Sequence, residues 1–109
     1  MRIHHVALRT HDLARLERFY VGVLGFAIAR GRRGSVWLEA EGAMLMLEEA
    51  EEGEPVGRPG TKELLAFAVD ELESWRGRVS VEAETQHTLY FRDPDGRRIA
   101  VSTYPLGER

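Results

Sequence analysis

The order of secondary-structure patterns occurs twice in this sequence, and this repeat constrains the fold more than any other feature. Residues 2–10 alternate between polar and apolar side chains as a strand does, and apolar side chains at helical spacing follow over residues 13–24. Three more strand-like segments complete the first copy. Residues 63–104 repeat the order of strand, helix and three strands. Two copies of about 45 residues each predict two similar βαβββ modules.

The repeat also predicts the domain organisation. The chain of 109 residues has the length of a single domain. We expect a first βαβββ module over residues 1–49, a linker over 50–62 and a second βαβββ module over 63–105. The linker combines an acidic run with Pro55 and Pro59 and has no periodicity. Its acidic side chains are expected to be solvated, as charge runs in loops usually are.

Local signals set the ends of the predicted elements. Thr10 or Asp12 can cap the first helix, and Gly25 can end that helix in a left-handed conformation. Asp70 is the predicted cap of the second helix. Two glycines predict a turn over residues 31–34. The predicted strands are residues 2–10, 26–30, 35–41, 43–49, 63–69, 79–84, 87–92 and 97–104, and the second helix is 71–76.

Composition excludes several classes of function. The net charge of −3 argues against a nucleic-acid partner, because binding nucleic acid requires a clustered basic surface. Without cysteine, the chain has no disulfide, thiolate ligand or cysteine nucleophile. No apolar segment is long enough for a membrane span or a signal peptide, so we expect a cytoplasmic protein with no membrane partner. The sequence has no phosphate-binding loop, serine nucleophile elbow or dinucleotide motif.

Size and composition add two expectations. A chain this short buries a small core and often gains stability by dimerising, so we expect a homodimer. Lys62 is the only lysine among 15 basic residues, and the chain has no asparagine and a single glutamine, Gln86. A scarcity of thermolabile residues indicates a thermophilic source, while richness in arginine and glutamate also follows from GC-rich coding.

The first strand presents a histidine and an arginine on one face. Because successive side chains of a strand point to opposite faces, His5, Ala7 and Arg9 share a face. By the same rule His4 is expected to point away from His5. The opposite face is apolar at its centre and can pack on a core. The polar face can bind a metal, bind an anion or meet solvent, and the strand alone leaves these alternatives open.

Three segments carry a resemblance to a known family. They are the His5–Arg9 strand, the helix from Asp12 to Tyr20 with the following Val23–Phe26 segment, and the Tyr90–Gly96 strand and turn. In this order and spacing they resemble the vicinal oxygen chelate superfamily, which includes glyoxalase I, extradiol dioxygenases, fosfomycin resistance enzymes and bleomycin resistance proteins. The resemblance implies an α+β fold in which two βαβββ modules form a curled mixed sheet around a cleft. It does not define a reaction, since one fold supports many functions.

The resemblance also implies four ligand positions for a divalent metal such as Ni, Zn, Mn or Fe. In this sequence these positions are His5, Glu48, Leu64 and Ala100. Leucine and alanine have no donor atoms, and a catalytic metal generally needs three protein ligands. The implied site is therefore incomplete, and we expect no cofactor, with a divalent metal as the alternative. Glu49 is a register-shifted alternative to Glu48, and His87 would add a ligand only if its hairpin folds over the cleft.

Five side chains are candidates for binding a small molecule. They are Arg9, Trp37, Met44, Met46 and Tyr90. The resemblance implies that an arginine at the position of Arg9 grips a substrate carboxylate, for which a guanidinium is well suited. A salt bridge to a glutamate is the alternative. Aromatic and methionine side chains can line an adaptable cleft, and packing in the core is the alternative for each of them.

Three functions remain open. The first is a glyoxalase/bleomycin resistance-like protein that binds a small, partly apolar molecule in the cleft without metal or turnover. The second is a divalent-metal-dependent lyase, isomerase or dioxygenase, in which the metal polarises vicinal oxygens of the substrate. The third is an interaction domain with a vestigial cleft. The sequence leaves open whether the chain is an enzyme, which ligand it takes, and whether the modules pair within one chain or swap between chains.

Overall fold

The computed structural model describes residues 1–57 and 60–106, and the chain falls into two compact units that divide after Gly57. The elements of the first unit are β1 (His5–Thr10), α1 (Leu13–Glu17), a π-helical segment (Arg18–Val23), β2 (Ala27–Arg32), β3 (Ser35–Ala40) and β4 (Ala43–Glu49). The strands form one sheet in the order β1-β4-β3-β2. Strand β1 is parallel to β4, and the other pairs are antiparallel.

The second unit repeats this arrangement. Its elements are β5 (Leu65–Ala68), α2 (Glu73–Arg76), β6 (Ala83–Glu84), β7 (Thr88–Arg92) and β8 (Arg98–Ser102). The sheet order is β5-β8-β7-β6, with β5 parallel to β8 and the other pairs antiparallel. The fold class is therefore α+β with two βαβββ modules and mixed sheets, as the repeat predicts. None of the helices in the described ranges has the length and apolar character needed to cross a membrane.

The core of each unit follows from alternation along its strands. In the first unit, α1 lies against β4 on one face of the sheet, and the side chains on that face are buried. The buried apolar residues of this unit are Leu8, Leu16, Tyr20, Leu24, Val36, Leu38, Leu45 and Leu47. Those of the second unit are Leu89, Phe91, Ile99, Ala100 and Val101. Burial at every second position of β1 and β4 confirms the predicted division of β1 into a core face and a polar face.

Both ends of the first helical region agree with their sequence signals. The Asp12 carboxylate accepts a hydrogen bond from the backbone N–H of Arg15 at 3.1 Å, so Asp12 is the cap. Gly25 adopts a positive φ of 87°, the left-handed conformation predicted for the helix end. The change from α-helix to π-helix at Arg18 was not predicted, because the spacing of apolar residues does not distinguish these two helical forms.

Several predicted boundaries differ from the structure. Strand β2 continues to Arg32 because Gly31 pairs with Val36, so the predicted four-residue turn over 31–34 contracts to Arg33 and Gly34. Gly34 has a φ of 82°, which accounts for glycine at that position. The predicted strand over 79–84 shortens to β6.

Local hydrogen bonds account for the differences around α2. The backbone N–H groups of Arg78 and Val79 both donate to the carbonyl of Trp75, at 3.0 and 3.2 Å, so the chain is still turning where a strand was predicted. Glu71 rather than Asp70 accepts the backbone N–H of Ser74, at 3.0 Å. The longer glutamate side chain thus replaces the predicted aspartate cap.

The turn between β7 and β8 is built around a buried aspartate. The Asp93 carboxylate accepts backbone hydrogen bonds from Asp95 at 2.9 Å and from Arg97 at 3.1 Å. Gly96 has a φ of 83°. The turn predicted from the Asp-Pro-Asp-Gly sequence is therefore present and held by its first aspartate.

Candidate functional site

One face of the first sheet carries most of the predicted site residues, and we call it the open face. Its side chains are His5, Ala7 and Arg9 on β1, Met44, Met46 and Glu48 on β4, and Ser35, Trp37 and Glu39 on β3. The sheet register places His5 opposite Met44 and Arg9 opposite Glu48, while Met46 lies between Ala7 and Trp37. The open face therefore has a soft apolar centre with ionisable groups at both ends.

At the end where β1 begins, two imidazoles lie beside an indole. His5 contacts Trp37 edge to face, with ring centroids 5.1 Å apart. The Nδ1 atoms of His4 and His5 are 2.8 Å apart, so one ring donates to the other. The prediction that His4 points away from His5 is wrong, since the two rings are in contact. Strand β1 begins at His5, so strand alternation does not extend to His4.

An open depression of about 670 Å³ adjoins this end of the open face. It is lined in part by His4, Glu39 and Met44, and the turn between β3 and β4 forms another part of its wall. Small-molecule sites in proteins commonly have volumes of about 300–1,000 Å³. The first unit therefore offers space for a small molecule where apolar and ionisable side chains meet.

At the other end of the open face, Arg9 is held by two carboxylates. Its Nη1 atom donates to Glu48 at 2.7 Å, while Nε and Nη2 donate to both oxygens of Glu54 at 2.9 and 2.8 Å. Arg9 thus takes part in the salt bridge that was the alternative to gripping a ligand carboxylate. Glu54 belongs to the acidic run predicted to be solvated, and for Glu54 that expectation is wrong, since its side chain is only 25% exposed.

These hydrogen bonds stabilise the charged forms of the groups involved. The side-chain hydrogen bond from Arg9 lowers the pKa of Glu54 from 4.5 to about 2, and a backbone hydrogen bond from Glu51 adds to the effect. Hydrogen bonds to Glu54 and Glu48 raise the pKa of Arg9 further above its ordinary value. Arg9 and Glu54 are therefore ionised together throughout the physiological pH range.

The donor set does not fit the divalent metal that the family resemblance implies. Glu48 lies opposite Arg9 rather than His5, four residues further along the parallel strands, which separates the backbones of His5 and Glu48 by about 13 Å. Leu64 and Ala100 provide no donor atoms. Within residues 1–57 and 60–106, no three or more His, Cys, Asp or Glu side chains are grouped so that they could hold a metal ion.

Glu49 and His87, the other candidate ligands, have different surroundings. The Glu49 carboxylate lies beside Gly34, on the face of β4 opposite to the open face. The His87 ring contacts Tyr104 edge to face with centroids 5.5 Å apart, and its Nδ1 atom is 3.5 Å from the hydroxyl of Thr103. His87 therefore lies beside the segment that follows β8.

In the second unit, Tyr90 lies opposite Ala100, the last of the four implied ligand positions. The guanidinium carbon of Arg98 is 4.4 Å from the centre of the Tyr90 ring, a cation–π contact. Arg92, on the same face, donates to both carboxylate oxygens of Glu82, at 2.8 and 2.9 Å. Leu64 is 40% exposed. This unit thus presents a half-buried tyrosine beside two arginines.

Three contacts of the open face are not predicted by the sequence pattern. The guanidinium carbon of Arg30 lies 5.3 Å from the centre of the Trp37 ring, because a bulge between Ile28 and Arg30 changes which residues pair with β3. The contact of His4 with His5 depends on where β1 begins. The contact of Glu54 with Arg9 spans a segment without periodicity. An arginine on a strand that faces an acidic loop is the one signal that points to the last of these.

Comparisons with known proteins agree with this architecture. The family model for the Glyoxalase/Bleomycin resistance protein/Dioxygenase superfamily matches residues 2–101. The chain therefore belongs to the Glyoxalase/Bleomycin resistance protein/Dioxygenase superfamily. A search of curated proteins finds no match.

Solved structures include several with the same fold. An integron cassette protein from V. cholerae is 26% identical, with a TM-score of 0.74 and 96% of each chain covered. Lactoylglutathione lyase from Agrobacterium tumefaciens is 24% identical, with a TM-score of 0.72, covering 93% of this chain and 92% of the other. TnmS3, an antibiotic binding protein from Streptomyces sp. CB03234, is 20% identical, with a TM-score of 0.74 and 94% of each chain covered. The fold thus accommodates both a lyase and a binding protein.

Proposed function

We propose that this chain is a glyoxalase/bleomycin resistance-like protein that binds a small, partly apolar molecule on the open face, without a metal cofactor. The observation that carries the proposal is the half-buried group of Trp37, Met44 and Met46 beside a depression of about 670 Å³. An indole and two thioethers provide apolar area that adapts to ligands of different shapes. The antibiotic-binding relative TnmS3 shows that this fold is used for binding.

The polar groups around this centre would orient the ligand. His4 and Glu39 line the depression, and His5 contacts Trp37. A few polar groups around an apolar surface are typical of small-molecule sites. The second unit has a separate candidate, Tyr90, whose ring is half-buried and lies against the guanidinium of Arg98, and we propose it as a contact for a small molecule bound to that unit.

Tryptophan fluorescence tests the proposal. The Trp75→Phe variant retains Trp37 as its single tryptophan. This variant is titrated with a set of small aromatic amines, amides and acids. We expect at least one class to change the Trp37 emission saturably, and Met46→Ala to weaken that binding. Leu106→Ala is the control, because Leu106 is 87% exposed and follows β8 in the second unit. If no compound changes the emission, the binding function is contradicted and an interaction domain with a vestigial cleft becomes the better account.

The second candidate function is a divalent-metal-dependent lyase, isomerase or dioxygenase of the same superfamily. The paired His4 and His5, with Nδ1 atoms 2.8 Å apart, favour it, since imidazole nitrogens are common metal ligands. Metal content of protein purified without chelators, and the melting temperature after adding Ni, Zn, Mn or Fe, separate the candidates. A stoichiometric metal that is lost in His5→Ala would support the enzyme and overturn metal-free binding. The main proposal predicts no bound metal and an unchanged melting temperature.

A further inference from the structure

The contact between Arg9 and Glu54 occupies a group that would otherwise be available to a ligand. Each of the three guanidinium nitrogens of Arg9 donates to a carboxylate, Nη1 to Glu48 and the other two to Glu54. The Nε and Nη2 pair is the edge with which an arginine binds a carboxylate in two parallel hydrogen bonds. Glu54 thus holds the position that a carboxylate ligand would take.

Glu54 is itself held by three further contacts, one to its side chain and two to its backbone. The backbone N–H of Glu51 donates to Glu54 Oε1 at 3.0 Å, and the backbone N–H of Glu54 donates to the carbonyl of Glu51 at 3.0 Å. His11 Nε2 lies 2.7 Å from the backbone carbonyl oxygen of Glu54. These contacts form a turn over residues 51–54 and hold it next to the end of β1. The Glu54 carboxylate therefore lies beside Arg9.

The charges of this cluster do not cancel. One guanidinium and two carboxylates, from Arg9, Glu48 and Glu54, leave a net charge of −1. Glu48 lies on the open face opposite Ser35 and is 26% exposed, so part of this negative charge faces the proposed ligand surface. A carboxylate ligand would have to displace Glu54 and would also be repelled by the negative charge of Glu48. A cationic ligand group would be attracted by the same charge.

We propose that Glu54 is a specificity-determining residue, which acts as a built-in carboxylate ligand for Arg9 and directs the open face toward ligands with a cationic or neutral end. This inference rests on the proposed binding function. It predicts that removing the Glu54 charge frees the carboxylate-binding edge of Arg9. The preference of the open face should then change from cationic ligands to carboxylate ligands. The matched probes are benzoate and benzamidine, which have the same phenyl body and opposite charges.

The experiment compares the wild-type chain with Glu54→Gln, Glu54→Ala and Glu52→Gln by NMR. Glu52 is exposed, lies in the same acidic segment and makes no hydrogen bond or ion pair within the described residues, so its variant changes the net charge equally without touching Arg9. The Nε–H signal of Arg9 reports on the carboxylate-binding edge. The indole N–H signal of Trp37 reports separately on the open face.

The expected result is an inversion of preference. Benzamidine should bind the wild type and Glu52→Gln more tightly than benzoate does, while both Glu54 variants should gain affinity for benzoate by about five- to tenfold, with a saturable shift of the Arg9 signal. Glu54→Ala should show the larger gain, because a glutamine oxygen can retain one hydrogen bond to Arg9. It also provides the test if Glu54→Gln does not fold.

Other results would overturn the inference. Equal benzoate affinity at Arg9 in the wild type and the Glu54 variants would show that Glu54 does not block the site. The same gain in Glu52→Gln would show a general effect of charge. Failure of the proposed function has a different signature, namely a Trp37 signal that neither probe shifts in any variant, while the Arg9 signal still decides the role of Glu54.

Discussion

Arg9 joins two parts of the first unit that are 45 residues apart in sequence. Its planar guanidinium matches the two oxygens of Glu54 and still reaches Glu48 on the neighbouring strand. All three side chains are partly exposed, so solvent screens their attraction and their contribution to stability is modest. The larger consequence is geometric, because the cluster fixes the acidic segment against β1 and determines which charges the open face presents.

The first prediction concerns the stability of the folded chain at low pH. The pKa of Glu54 is lowered to about 2 from 4.5, so its ion pair stabilises the folded chain above about pH 4.5 and this contribution is lost as the pH falls toward 2. The melting temperature should therefore decrease over this window, and Glu54→Gln should reduce the decrease. Part of the dependence should remain, since side-chain hydrogen bonds also lower the pKa values of Glu71, Glu82 and Glu84. Melting curves at pH 7, 4.5 and 3 check this, and an unchanged pH profile in Glu54→Gln would contradict it.

At the scale of the secondary-structure elements, the helix ends depend on particular capping side chains. Asp12 caps α1 through the backbone N–H of Arg15, whereas Glu71 performs this role near α2 in place of the predicted Asp70. Two aspartates with the same sequence signal therefore have different importance in the structure.

The two aspartates give the second prediction. Asp12→Ala should lower the free energy of unfolding by about 0.5–2 kcal/mol, because it leaves a backbone N–H of the first helical turn without its side-chain acceptor. Asp70→Ala is the matched control and should change stability by less than about 0.5 kcal/mol. Urea denaturation of both variants measures the difference. Equal losses in the two variants would show that the observed cap does not contribute.

The third prediction uses two glycines at the end of the first helical region. Gly22 has open space around the position of a Cβ atom and no positive φ, so Gly22→Ala should stabilise the chain by about 0.5–1 kcal/mol. Gly25 has a φ of 87°, and Gly25→Ala should destabilise the chain by about 1 kcal/mol. Thermal melting of the pair checks the opposite signs, and a loss of stability in Gly22→Ala would mean that the π-helical segment does not tolerate the added methyl group.

Sequence reasoning predicts the elements whose pattern is local and repeated. Period-two burial in β1 and β4, the Asp12 cap and the turn at Asp93 all depend on residues close in sequence. The short β6 and the bulge in β2 escape prediction, because they depend on which backbone groups find partners rather than on apolar spacing.

The candidate site was predictable to a smaller extent. Its location on the face of His5 and Arg9 follows from strand alternation. The pairing of Arg9 with Glu54 does not follow from strand alternation, because no periodic signal connects Glu54 to β1. Only the folded acidic segment brings the two side chains together.

At the scale of the whole molecule, we propose that the chain forms a homodimer. Strand β2 is an edge of its sheet, and all six of its residues are exposed, including Ile28 at 49%. Exposed apolar side chains on an edge strand favour pairing with a further chain. The fourth prediction is that sedimentation velocity at micromolar concentration finds the mass of two chains, and that Ile28→Lys shifts the equilibrium toward monomer. A wild-type chain that sediments as a monomer at high concentration would contradict this assembly.

The central claim is that the open face of the first sheet binds a small, partly apolar molecule. The most direct measurement is NMR mapping of a labelled wild-type chain during titration with the compounds that change Trp37 fluorescence. We expect saturable shifts concentrated at Trp37, Met44 and Met46, with no requirement for added metal. Shifts confined to other surfaces, or binding that appears only after a divalent metal is added, would contradict it.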